Sequence, residues 1–210
     1  MRPKILVFAS GSATGGGSGF EKLVEATRSG ILDADIVGVV SNHPNGGVKE
    51  RAERLGVKFI YFAGPYTEEG YKKIVDESSA EYVALSGWLK LVAGLPPTKT
   101  FNIHPGPLPK FGGRGMYGHH VHEAVIEAYK RGEVTHSAVT MHFVTSKYDE
   151  GPVFFALPVE IMKDDDAGTL GKRVNLKEHE WQPRITDLVV KGLIHWDGKD
   201  PKSLVVPEKF

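Results

Sequence analysis

Lys4-Ile5-Leu6-Val7-Phe8-Ala9 runs into Ser10-Gly11-Ser12-Ala13-Thr14-Gly15-Gly16-Gly17-Ser18-Gly19 and then into Phe20-Glu21-Lys22-Leu23-Val24-Glu25-Ala26. The first segment is a short apolar run, the second a Ser/Gly/Thr-rich loop, and in the third the apolar residues recur at helical spacing. Strand, loop and helix in that order begin an α/β unit. A second unit follows, with Ile36-Val37-Gly38-Val39-Val40 as strand and Val48 to Leu55 as an amphipathic helix that Gly56 is suited to stop. Val57 to Phe62 alternates as a third strand, Thr67 is placed to cap a helix running through Lys73 to Val75, and Tyr82-Val83-Ala84-Leu85 is a fourth strand. Apolar strands alternating with helices predict a Rossmann-like, mostly parallel sheet covered by helices on both faces.

Beyond Pro105 the pattern changes. A helix is expected from about Tyr117 to Arg131, then strands over Ser137 to Val144 and Pro152 to Val159. The connection between those strands, Thr145 to Gly151, is shorter than a parallel crossover needs, so the pair reads as antiparallel. A long helix from about Ala167 to Lys191 is expected to be interrupted near Pro183, and the tail after Ile194 is short and irregular. The 210 residues suit a single domain over 1–210, with an N-terminal lobe to about residue 100 and a C-terminal lobe from about 101.

Composition removes several classes of function. With 26 basic and 26 acidic residues there is no electrostatic case for nucleic acid or an anionic membrane as the main partner. The chain has no cysteine, hence no disulfide, thiolate nucleophile or thiolate metal ligand. No apolar stretch approaches the roughly 18 residues of a membrane span. A cytoplasmic protein, monomer or homodimer, is expected.

The glycine-rich loop fits neither of two familiar phosphate motifs. A Walker pattern from Gly11 would need lysine where Gly17 stands, and a G-x-G-x-x-G from Gly15 would need glycine where Phe20 stands. Strand two ends in Ser41-Asn42 and not in the acidic residue that holds a dinucleotide ribose. The loop still feeds a helix N-terminus, where free N–H groups and the helix dipole favour a phosphate, with Gly17-Ser18-Gly19 as the anchor. A plain connection with excess glycine is the competing reading.

Asn102-Ile103-His104-Pro105 and Asp149-Glu150-Gly151-Pro152 carry the candidate chemistry. In an extended segment Asn102 and His104 point the same way, Ile103 points into the core, and Pro105 cannot continue the ladder. An amide and an imidazole thus meet at the end of a strand, where open α/β sheets bind ligands. Alternatively the pair are satisfied polar groups and Asp149 is a turn former.

In their order along the chain these segments resemble the phosphoribosylglycinamide formyltransferases, a folate-dependent family of purine synthesis. The residues that carry the likeness are the early Gly-Ser loop, Leu85-Ser86-Gly87-Trp88-Leu89-Lys90-Leu91-Val92, Phe101 to Pro105 with Leu108-Pro109-Lys110, His142-Phe143-Val144-Thr145, Asp149 to Pro152, and Lys177-Glu178-His179-Glu180. The resemblance implies the formyltransferase fold, 10-formyltetrahydrofolate as donor and co-substrate, and the amine of glycinamide ribonucleotide as acceptor. It also implies three catalytic residues. Asn102 donates to the oxyanion, His104 as imidazolium donates a second hydrogen bond and protonates the leaving nitrogen, and Asp149 favours the charged ring and receives the amine proton through water. Gly17, Ser18 and Gly19 would hold the ribonucleotide phosphate, and Asn175 and Glu178 its ribose. Trp88, Leu89, Lys90, Leu91 and Val92, with Thr145, Ser146, Lys147 and Tyr148, would enclose the folate pterin.

No metal is implied. His119, His120, His122 and Glu123 cluster, yet they match no H-E-x-x-H pattern. The chain departs from the family in the extra residues between Ser10 and Gly17, in Gly19 where asparagine is typical, in Glu68 where arginine is frequent, and in the longer Phe111 to Gly118 segment with Arg114. Formyltetrahydrofolate deformylase shares Asp-Glu-Gly-Pro but typically carries an additional N-terminal regulatory domain. A non-catalytic nucleotide- or folate-binding module is the reading from another class.

Overall fold

In the computed structural model, which describes residues 1–208, strand β1 (Lys4–Phe8) divides its side chains between two cores. Ile5 and Val7 enter one, Leu6 and Phe8 the other, and all four are fully buried. This is the period-2 geometry of a strand covered on both sides, and each such side chain contributes about 1.5–3 kcal/mol through burial. Around β1 the chain lays down α1 (Ser18–Ser29), β2 (Asp35–Ser41), α2 (Gly47–Leu55), β3 (Phe59–Tyr61), α3 (Glu68–Ser78) and β4 (Tyr82–Leu85). It continues with β5 (Thr100–His104), α4 (His119–Lys130), β6 (His136–Phe143), β7 (Val153–Glu160), α5 (Ala167–Val190) and a 3-10 turn at Pro201–Ser203.

The strands form one sheet in the order β3-β2-β1-β4-β5-β6-β7. Pairs from β3 through β5 are parallel, while β5–β6 and β6–β7 are antiparallel. The fold is thus a mixed α/β sheet with its antiparallel strands in the C-terminal half, as read from the sequence. Chain order reverses between β1 and β4, which places a topological switch point, the usual ligand position of such sheets, at their carboxyl ends.

Local signals account for most boundaries. Gly56 stops α2 in the left-handed conformation, its N–H donating to the Ala52 and Glu53 carbonyls. The Thr67 hydroxyl caps α3 by accepting the Gly70 N–H at 3.3 Å. Asp166 and Thr169 close a capping box at the start of α5. Two readings need correction. The third strand is confined to Phe59–Tyr61, and α5 runs unbroken through Pro183. A proline in a helix interior costs ~3 kcal/mol. Here buried residues on both sides of it, Leu170, Val174, Ile185 and Val189, keep both turns packed, and α5 lies against α1, α4, β6 and β7.

Candidate active site

The carboxyl ends of β1, β4 and β5 are in register, Phe8 pairing with Leu85 and Leu85 with Asn102. The loops that leave them open a cavity of about 880 Å³. Its walls include the α1 loop, Ser86 to Lys90, Asn102 to Pro105, Asp149 and the inner face of α5.

Asn102 and His104 end β5 on one face, with Ile103 buried on the other. His104 is 3% exposed, and its Nε2–H donates to the Phe111 carbonyl at 2.8 Å, which leaves Nδ1 3.9 Å from Asp149 Oδ2. Burial pushes the His104 pKa down, and the nearby Asp149 charge opposes this only in part. Enclosure of the ring thus works against the charged imidazolium expected from the sequence. The desolvation of a nearly enclosed ring outweighs one carboxylate beyond hydrogen-bond distance. For Asp149, burial alone would raise the pKa, but the His142 contact, the His104 ring and the Gly113 N–H hold it below the usual carboxylate range. Asp149 has φ 55°, a left-handed backbone uncommon for a side-chain-bearing residue, and its Oδ2 accepts the Gly113 N–H at 2.9 Å.

His142 is the residue that sequence reasoning left out of the site. It lies opposite Asn102 in the β5–β6 ladder and is 2% exposed. Its Nδ1–H donates to the Phe143 carbonyl at 2.8 Å, and its Nε2 accepts from Asn102 Nδ2 at 3.0 Å and lies 3.4 Å from Asp149 Oδ1. The available signal was a histidine flanked by the apolar Met141 and Phe143 in a buried strand. Its partner could be read only once the β5–β6 register was known.

At the other end of the cavity, Gly17 occupies the N-cap of α1 at φ 80° and gives no side-chain cap. A Cβ at Gly17 would lie 3.1 Å from Val48 Cγ2, so the loop is packed tightly onto α2. The first N–H groups of α1 thus face the cavity without a capping side chain, the condition under which a helix N-terminus receives an anion. His179 Nε2 lies 3.0 Å from Ser18 Oγ. Burial lowers the His179 pKa, and Lys22 adds to the effect. Asn175 Nδ2 donates to Glu178 Oε2 at 3.1 Å, yet burial still pushes the Glu178 carboxyl up to about 7.

Of the residues expected around a pterin, Trp88, Leu89, Lys90 and Tyr148 line the cavity, whereas Leu91, Val92, Thr145, Ser146 and Lys147 lie outside its lining. Trp88 is also a core residue. Its Nε1–H donates to Tyr71 Oη at 3.1 Å, and its ring meets Phe8 edge-on at 5.2 Å. His119 and His120 pair with Glu123 at 3.3 and 3.2 Å, and Arg114 lines the cavity as an exposed side chain.

Residues 3–186 match the model of the formyl transferase family. The chain belongs to the formyl transferase family. Among its relatives, chloroplastic phosphoribosylglycinamide formyltransferase of Arabidopsis thaliana is 34% identical over 93% of this chain and 68% of its own length. Phosphoribosylglycinamide formyltransferase of Bacillus subtilis is 29% identical over 95% of this chain and 99% of its own length. Among solved formyl transferases, glycinamide ribonucleotide transformylase 1 from Symbiobacterium toebii superposes with a TM-score of 0.80 at 27% identity, covering 94% of this chain and 92% of that one.

Proposed function

We propose that the chain transfers the formyl group of 10-formyltetrahydrofolate to the amine of glycinamide ribonucleotide, a step of purine biosynthesis. The observation that carries this reading is one cavity holding an amide, an imidazole and a carboxylate at one end and an uncapped helix N-terminus at the other. That pairing suits an acceptor with an amine to be acylated and a phosphate to be anchored.

Attack of the amine on the formyl carbon develops an oxyanion and leaves a proton to be removed. One Asn102 N–H is committed to His142, which fixes the amide plane, and the second is free for the oxyanion. His104, anchored through Nε2, takes the amine proton at Nδ1. The cation formed there is stabilised by Asp149, so the ion pair strengthens as the reaction proceeds, which is the condition for selective transition-state stabilisation. The same proton then passes to the departing folate nitrogen as its bond to the formyl carbon breaks. Gly17, Ser18 and Gly19 hold the acceptor phosphate, and Asn175 and Glu178 accept and donate at the ribose hydroxyls. Trp88, Leu89 and Lys90 of the Trp88 to Val92 segment and Tyr148 of the Thr145 to Tyr148 segment flank the pterin. In this reading the part up to about residue 100 supplies the Gly17 to Gly19 phosphate anchor and the Trp88 to Val92 segment, and the remainder supplies the catalytic residues, the ribose ligands and the Thr145 to Tyr148 segment.

The test is the rate of tetrahydrofolate formation from 10-formyltetrahydrofolate by the purified chain, with and without glycinamide ribonucleotide. Turnover that depends on the ribonucleotide is expected. Equal turnover in its absence identifies a deformylase and removes the acceptor assignment, while no turnover in either case leaves a binding module.

A further inference from the structure

Gln182 is 1% exposed, lies on the inner face of α5 and lines the same cavity as Gly17, Ser18 and Gly19. Its Oε1 accepts the Ser86 hydroxyl at 3.1 Å, whereas its Nε2 has no hydrogen-bond partner. A buried amide with an unmet donor costs free energy unless a ligand satisfies it. In this arrangement the Ser86 contact occupies the amide oxygen, and the N–H₂ end is the one without a partner. Gly19 makes room for this arrangement. A Cβ there would stand 2.2 Å from Ser86 Oγ and 2.9 Å from Gln182 Oε1, so any side chain at position 19 displaces the pair.

The position along α5 indicates what the free donor meets. Glu178 lies roughly one turn before Gln182, ~6 Å along the axis, and its Asn175 partner roughly two turns before it, ~10 Å along the axis. Gln182 is at the level of Gly19, beside the uncapped start of α1. A donor-only group at an anion-favouring helix end suits a ligand that only accepts, and a phosphate ester does so where a hydroxyl need not. We propose that Gln182 Nε2 is a direct ligand of the acceptor's phosphate, oriented by Ser86 and admitted by Gly19, and so a determinant of specificity for phosphorylated acceptors. The assignment rests on the transferase reading for the identity of the acceptor, but not for the binding of a sugar phosphate.

The experiment compares the wild-type chain with Gln182→Met, which keeps the volume and removes the donor, and with Gln182→Glu, which replaces it by an acceptor. KM and kcat are measured for glycinamide ribonucleotide and for the dephosphorylated riboside, and ribose 5-phosphate binding is measured by calorimetry. Gln182→Met is expected to raise KM for the ribonucleotide about ten- to hundredfold with kcat retained, as for one hydrogen bond to a charged group. Gln182→Glu is expected to raise it further. With the riboside, wild type and Gln182→Met should coincide, and ribose 5-phosphate affinity should fall by the factor seen in KM. An equal penalty on riboside and ribonucleotide, or no penalty on either, overturns the assignment. If the wild type fails to formylate glycinamide ribonucleotide, the transferase reading fails. The phosphate assignment is then decided by ribose 5-phosphate alone, upheld if Gln182→Met weakens it and overturned if it does not. Should Gln182→Met fail to fold, Ser86→Ala, which frees the amide to rotate, serves in its place with a smaller loss of the same phosphate-dependent kind.

Discussion

At the scale of single residues, the site works through groups that hold one another in place. Asn102 is oriented by His142, which also faces Asp149, and Asp149 is held by the Gly113 N–H. Replacing Asn102 by alanine removes the oxyanion donor and should lower kcat about 100- to 1000-fold with little change in KM. A His142→Asn variant should cost less by itself. Combined with Asn102→Ala it should add less than its single loss, because part of the ring's role runs through that amide and only the contact with Asp149 remains; full additivity of the two losses in a double-mutant cycle would remove this role. His104 supplies a pH prediction. Its folded pKa is depressed, so the neutral base persists below the ordinary histidine value of 6.5, and kcat/KM should fall only at lower pH. Asp149 raises that pKa, so in Asp149→Asn the residual activity should have its acid limb at still lower pH. An acid limb above 6.5 in the wild type would show instead that the ring rests in its charged form.

Among the elements, α5 combines support and recognition. One face is buried against the sheet and neighbouring helices, while Gly168, Gly171, Asn175, Glu178 and Gln182 line the cavity at helical spacing. Placing Glu178 there carries a cost in stability. Its folded pKa of about 7 lies above the ordinary glutamate value of 4.5, so the folded state keeps a proton that the unfolded chain loses. That contribution is fully present below pH 4.5 and is lost as pH rises through 7. Glu178→Gln should therefore raise unfolding stability at pH 8 by about 1–3 kcal/mol, with no gain near pH 4. Its KM for glycinamide ribonucleotide should rise. Urea unfolding at the two pH values checks the first claim and steady-state kinetics the second; equal stability gains at both pH values would refute the linkage. The same helix shows where periodicity misleads. Pro183 announces a break that the packing of Leu170, Val174, Ile185 and Val189 overrides.

For the molecule as a whole, buried titratable groups pull in opposite directions with pH. His122 is 7% exposed and its pKa is pushed by burial down to about 4. The unfolded chain gains a proton there below about 6.5 and the folded chain does not, so stability is lost as pH falls from 6.5 toward 4, on the order of 3 kcal/mol. Relative to wild type, His122→Leu should grow more stable as pH falls through this window, whereas Glu178→Gln should grow less so; parallel urea curves for all three proteins would contradict both. What the sequence determined by itself was whatever local chemistry decides. The apolar β1 run, the stop at Gly56, the Thr67 cap, the short β6–β7 connection and the shared face of Asn102 and His104 all follow from spacing and side-chain type within a few residues. Tertiary structure decided the rest. The β5–β6 register brings His142 to Asn102 and Asp149, enclosure of His104 overrules the charge beside it, and packing on both sides of Pro183 keeps α5 whole. The approach of Gln182 and Ser86 to Gly19 joins residues 163 and 67 positions apart. Burial and long-range register are properties of the assembled core, and no window of sequence contains the neighbours that set them.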